Sequence, residues 1–212
     1  MNRRDFLTGY HPAPPCYYSG RGTVLATRAN LPHWSKAQTA TFVTFRLADS
    51  LPEEKRIALE DERKAWLAQH PQPWDETTTR DYYARFDAHL QEWLDAGYGA
   101  CVLADDLRRR LVEDVLAHFA GERYELYAFV VMPNHVHVLF QPTGEWSMSE
   151  IVASWKKFAA REINQSLGRE GPLWQKESFD TLVRSERHFR TIVSYIKRND
   201  LAKAWVWEMG ER

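Results

Sequence analysis

The chain has 212 residues, 44% apolar and 27% charged, with a net charge of −1. That length supports one domain with a sizeable core, and the usage is ordinary for a water-facing protein. No run is apolar and long enough to span a bilayer, no apolar leader follows Met1-Asn2-Arg3-Arg4-Asp5-Phe6, and two distant cysteines, Cys16 and Cys101, exclude a disulfide framework or thiolate zinc site.

The elements, in chain order, begin with an irregular arm over residues 1–38, rich in proline and glycine, with a short extended piece at Thr23–Thr27. Residues 39–47 are β-branched and aromatic and read as a strand. Ser50 followed by Pro52 and Glu53 reads as a helix start, and that helix runs to about Gln69 before Pro71 and Pro73 break it. A second helix is expected from about Thr79 to Ala96, closed by Gly97. Together 51–98 form a polar, acidic helical insertion. Asp105 or Asp106 caps the next helix, about 105–119, with Leu107, Leu111, Val115 and Leu116 on one face. Two strands follow, about 124–131 and 135–141, joined at Met132-Pro133-Asn134. Ser147 or Ser149 opens a helix to Leu167, closed by Gly168. A strand over 177–184 and a helix from Arg187 to about Asn199 complete the order.

With the insertion set aside, the order is strand, helix, strand, strand, helix, strand and a terminal helix. This is the α+β, ferredoxin-like split βαβ pattern, an antiparallel sheet with helices on one face. The chain reads as a single domain over 1–212. Charge is uneven along it. The first fifty residues carry 6 basic against 2 acidic groups, residues 51–100 carry 6 against 11, 101–150 carry 4 against 8, and 151–212 carry 12 against 8. Basic ends around an acidic middle fit a local anion-binding face, and equally fit solvated helix surfaces.

The residues that carry chemistry lie in the apolar run 127–140. His135 and His137 are i and i+2 on a strand, so both imidazoles leave one face while Val136 points into a core. Neutral imidazoles suit a divalent metal. By itself the spacing is shared with unrelated metalloproteins and with plain buried histidines. On the last helix Tyr195 and Asn199 are i and i+4 neighbours. A tyrosine oxygen can act as a covalent nucleophile, and an amide carbonyl can be a hard oxygen ligand. No Gly-x-x-x-x-Gly-Lys-Ser/Thr loop is present, so ATP chemistry is not indicated.

In order, His135-Val136-His137 after Met132-Pro133-Asn134, then Trp174-Gln175, Phe179-Asp180 and Arg184, then Tyr195-Ile196 and Asn199, resemble the single-tyrosine HUH transposases, and among them the REP-associated tyrosine transposases. The resemblance covers residues 39–47 and 100–205. Asp200 departs from it, standing where the family usually has proline. The resemblance implies single-stranded DNA cleavage and rejoining at or near hairpin elements of the repetitive extragenic palindrome type. It implies His135, His137 and Asn199 as ligands of Mg²⁺ or Mn²⁺, and Tyr195 as the nucleophile of a 5′-phosphotyrosine link. It also implies a bacterial cytoplasmic protein with no membrane partner, with a monomer favoured and a dimer, as in some relatives, left open.

Candidate DNA contacts are Arg3 and Arg4 on the arm, Lys156, Lys157 and Arg161 on the helix after the histidine strand, Trp174 as a stacking surface beside Trp155, and Arg184, Arg187, Arg190, Lys197 and Arg198 around the tyrosine helix. Two other readings stay open at this point. One is a catalytically silent single-strand or hairpin-binding module on the same fold. The other is an unrelated small-molecule metalloenzyme, which requires a further carboxylate or histidine ligand.

Overall fold

A computed structural model of the chain describes residues 7, 9–19, 38–71, 75, 77–78, 81–82, 85–86, 93–94, 96–199 and 205–206, with 25–28 and 32–35 as backbone alone. Most of the expected 79–96 helix lies outside the described residues; those that are described between 77 and 94 are helical, and Gly97 donates to the Leu94 carbonyl at 3.0 Å.

The arm holds a small hairpin, β1 (Leu25–Arg28) on β2 (Pro32–Ser35), of which only the first strand was expected. The body is a five-stranded antiparallel sheet of β3 (Thr41–Arg46), β4 (Tyr124–Val131), β5 (His135–Pro142), β6 (Phe179–Leu182) and β7 (Trp205–Val206) in the order β6-β3-β5-β4-β7. Its first four strands have the split βαβ arrangement, since β5 lies between β3 and β4.

Helices α2 (Asp106–Ala117) and α3 (Met148–Leu167) cover one face. There Val43, Phe45, Val136, Val138 and Phe140 meet Val112, Leu116, Ile151, Trp155 and Ile163. Alternation along β3 and β5 sends the intervening residues to the opposite face. That face is covered by α4 (Glu186–Lys197), which buries Phe189, Ile192 and Ile196 against Ala128, Val130 and Leu139. A β-bulge between Leu126 and Ala128 turns both Tyr127 and Ala128 toward α4. The insertion begins with α1 (Glu53–Gln69) and has its own small core, in which Leu59 and Trp66 join Tyr82, Phe86 and Leu94, with Phe179 of β6 packed against it.

Several boundaries differ from expectation for local reasons. Ser50 does not cap α1; Pro52 occupies that position, and the Ser50 hydroxyl accepts from Arg46 instead. On α2 it is Val112 and Leu116 that enter the core, while Leu107 in the first turn is 77% exposed. Helix α3 has a reciprocal capping box between Ser147 and Glu150 and ends on left-handed Gly168, as the sequence suggests. Asp105 caps α2 and Ser185 caps α4. No helix among the described residues is long and apolar enough to cross a membrane.

Candidate active site

The β3–β5 register places Thr44 opposite His137 and Arg46 opposite His135, so all four side chains share the α4 face. Both imidazoles are fully buried. Their Nε2 atoms stand 3.0 Å apart, and the Tyr195 hydroxyl reaches His137 Nε2 at 3.1 Å from α4. Phe42 stacks on the His137 ring at 5.5 Å and meets Tyr195 edge-on at 6.1 Å. Half-buried Tyr195 therefore closes the pair from one side.

The outer nitrogens are also held. Asn134 donates its Nδ2 to the Leu94 and Tyr98 carbonyls, both at 3.1 Å, which turns its Oδ1 toward His135 Nδ1 at 2.7 Å. His135 Nδ1 must then carry the proton, and its Nε2 presents a lone pair. His137 Nδ1 meets the Thr44 hydroxyl at 2.7 Å, a group able to donate or accept. Two lone pairs cannot face each other at 3.0 Å. Either a proton on His137 Nε2 or a shared cation must stand between the rings, and the Thr44 hydroxyl can adjust to both.

Burial lowers the His135 pKa to about 3, and burial together with the neighbouring His135 holds His137 well below the usual imidazole range. Neutral imidazoles with oriented second nitrogens are good metal donors. Two nitrogens bound at right angles to one cation, each ~2.1 Å away, stand ~3.0 Å apart, which the observed spacing matches. Among the described residues no cluster of three or more His, Cys, Asp or Glu could hold a metal, so a cation here would complete its shell with amide, substrate or water oxygen. Asn199 sits just past α4, its Nδ2 donating to the Tyr195 carbonyl at 3.0 Å, which leaves Oδ1 as its donor atom for a cation.

The structure thus brings His135, His137 and Tyr195 together, with Asn199 tied to the same helix end. Thr44 and Asn134 were missed as site residues. Asn134 stands within the quoted motif, but Thr44 is found only through strand register.

The basic residues separate into groups. Arg187, Arg190 and Arg198 line an open groove of about 580 Å³ on the outer side of α4, with Arg190 paired to Glu186 at 2.8 Å. Lys197 is exposed on the same helix, and Arg184 is half-buried just before it. Lys157 and Arg161 are exposed on α3, the helix that covers the other face, and Arg161 pairs with Glu162 at 2.7 Å. Arg3 and Arg4 lie outside the described residues.

Two expectations are corrected. Trp174 is 7% exposed and packs edge-on against Phe45 at 4.9 Å in the core, so no face is open for a base; Trp155 is likewise buried and donates to the Tyr124 hydroxyl. Partly exposed Lys156 donates to the Gln175 and Lys176 carbonyls at 2.6 and 2.9 Å, tying down the segment before β6.

Residues 96–199 match the family of IS200-like transposases. No curated protein matches the chain. Among solved structures it is similar to a REP-associated tyrosine transposase bound to a REP hairpin, at 16% identity over 78% of this chain and 70% of that one, with a TM-score of 0.39. It is also similar to a protein described as a candidate transposase from Deinococcus radiodurans R1, at 17% identity over 77% and 92% of the two chains, with a TM-score of 0.40.

Proposed function

We propose that this chain, whose residues 96–199 match the model of the IS200-like transposases, is a member of that family and a metal-dependent single-stranded DNA endonuclease and strand transferase acting at or near hairpin elements. The observation that carries the reading is the meeting of the Tyr195 hydroxyl with His137 Nε2 at 3.1 Å, itself 3.0 Å from His135 Nε2.

His135, His137 and Asn199 would hold Mg²⁺ or Mn²⁺. When bound, such an ion supplies Lewis-acid polarisation of the scissile phosphate and fixes it for in-line attack. The protein's own part is positional. Asn134 and Thr44 hold the imidazoles with their Nε2 atoms inward, and α4 holds the phenol beside them. The Tyr195 oxygen attacks phosphorus, the phosphorus–O3′ bond breaks, the phenolic proton leaves to solvent, and the departing 3′ oxygen takes up a proton. The products are a 5′-phosphotyrosine and a free 3′-hydroxyl. Attack by a 3′-hydroxyl reverses the step and reseals a strand. The phosphodiester energy is kept in the protein–DNA bond, so no nucleotide cofactor is required. Arg187, Arg190 and Arg198 offer the neighbouring strand a row of phosphate contacts on α4.

The test is incubation of the protein with end-labelled single-stranded hairpin DNA and Mn²⁺, followed by denaturing electrophoresis. The wild-type chain is expected to give a covalent adduct. Tyr195→Phe is expected to abolish it while leaving DNA binding largely intact. An undiminished adduct in that variant removes Tyr195 as nucleophile. Binding with no metal-stimulated cleavage by the wild-type chain makes it a silent binding module.

A further inference from the structure

We propose that the helical insertion and the β3 end build a separate phosphate pocket beside the imidazole pair, in which Arg46, Lys64 and Lys176 take the phosphate of a nucleotide flanking the scissile bond. This rests on the DNA-processing reading above and gives the insertion a role in it.

The pocket is a cavity of about 390 Å³ between α1 and the segment entering β6. Its cations are Arg46, Arg56, Arg63, Lys64 and Lys176, against the carboxylates of Glu60 and Glu177. Both carboxylates are already engaged. Glu60 pairs with Arg56 at 2.9 Å and Glu177 with Arg63 at 3.4 Å. Lys64 meets Asp61 at 3.7 Å in a loose, exposed pair, so the excess of positive charge centres on Arg46 and Lys176, and the Arg46 side chain is deeply buried with 9% of the residue exposed. Among the described residues its one recorded side-chain hydrogen bond is to the Ser50 hydroxyl at 3.3 Å. A guanidinium offers five N–H donors in a planar fork and keeps its charge, so burying it with one long neutral partner is unfavourable. None of the Arg46 side-chain nitrogens is both sealed from solvent and unpartnered, so the remaining donors open onto the cavity, where an anion with two oxygens, as a phosphate has, can accept that fork. Burial lowers the Arg46 pKa to about 10, and burial with the nearby Arg46 charge brings Lys156 down to about 8. Both shifts come first from burial and report a poorly solvated region.

Location decides which phosphate. Arg46 is paired with His135 across β3 and β5, and Phe179 with Thr44 across β3 and β6, so the pocket starts at the strand position next to the imidazoles. Phe179, Leu59 and Leu67 give it an apolar wall fit for a sugar or base. A cavity of a few hundred Å³ is the size of a small-ligand site, suited to one nucleotide and not to a duplex.

The test reads binding, not cleavage. Affinity of the full chain for fluorescein-labelled oligodeoxythymidylate is measured by anisotropy over a salt series in EDTA. Lys64→Ala, on an exposed helix position, and Arg46→Gln are each expected to lower the log–log salt slope by about 0.7, the loss of one single-strand phosphate contact. Arg46→Lys keeps the charge and loses the fork, and is expected to weaken binding roughly tenfold. Thermal melts establish that each variant is folded; should Arg46→Gln fail to fold, Lys64→Ala and Lys176→Ala decide. Wild-type slope and affinity in the folded variants overturn the pocket while leaving the transposase reading in place. No binding by the wild-type chain overturns both.

Discussion

Asn134 engages three partners with one amide. It donates to two carbonyls at the end of the insertion and accepts from His135. Asn134→Ala leaves two carbonyls and an imidazole N–H without those bonds, in a place that is 1% exposed for Asn134 itself. A cost of about 2–4 kcal/mol in chemical denaturation is expected, with Mn²⁺ affinity by calorimetry falling roughly 10–100-fold as His135 loses its fixed tautomer. Normal stability and normal Mn²⁺ affinity together would refute this role. At this scale the imidazole pair was legible because two-residue alternation is a local rule. Thr44 and Arg46 were not, because their places beside the pair follow from which residue of β3 faces which residue of β5, a non-local fact. Trp174 was misassigned for a related reason: a tryptophan between Gly-Pro-Leu and Gln looks like a loop residue, yet Trp174 bridges to Leu47 and sits on Phe45.

Among the elements, α4 carries Tyr195, the proposed nucleophile, beside a narrow buried stripe of Phe189, Ile192 and Ile196. Ile196 is fully buried and adjacent in sequence to Tyr195. Ile196→Ala is expected to cost about 2–5 kcal/mol by cavity formation, and to slow adduct formation more than it weakens DNA binding, because the phenol loses its fixed height over the sheet. A melt within a degree of wild type, or an unchanged rate of adduct formation, would contradict this. Strands β3 to β6 and helices α2 to α4 were readable from periodicity and caps, which are written in consecutive residues. The hairpin partner β2, the bulge at Tyr127 and the shift of the α1 start from Ser50 to Pro52 were not. Each depends on a contact made elsewhere: the strand partner, the α4 face, and the Arg46 guanidinium that engages Ser50.

For the molecule as a whole, the buried imidazoles set an acid limit. Their folded pKa values are depressed, His135 to about 3, whereas in the unfolded chain both titrate near 6.5. The unfolded state therefore binds more protons below that value. Stability is complete above pH 6.5 and falls as the pH drops below it. In EDTA the melting temperature is expected to decline from pH 6.5 to 5, and His135→Gln/His137→Gln is expected to flatten that decline. A wild-type melting temperature independent of pH over this range would show that the pair takes up protons without opening the fold.

One topological fact has a mechanical meaning. Helix α4 departs from β6 at one border of the sheet, and the chain is hydrogen-bonded again as β7 at the opposite border. The phenol thus rides on a girder moored at both banks, above the imidazoles of its own polypeptide. Under the chemistry proposed for Tyr195, a DNA end esterified to it would stay berthed over the sheet between cutting and resealing.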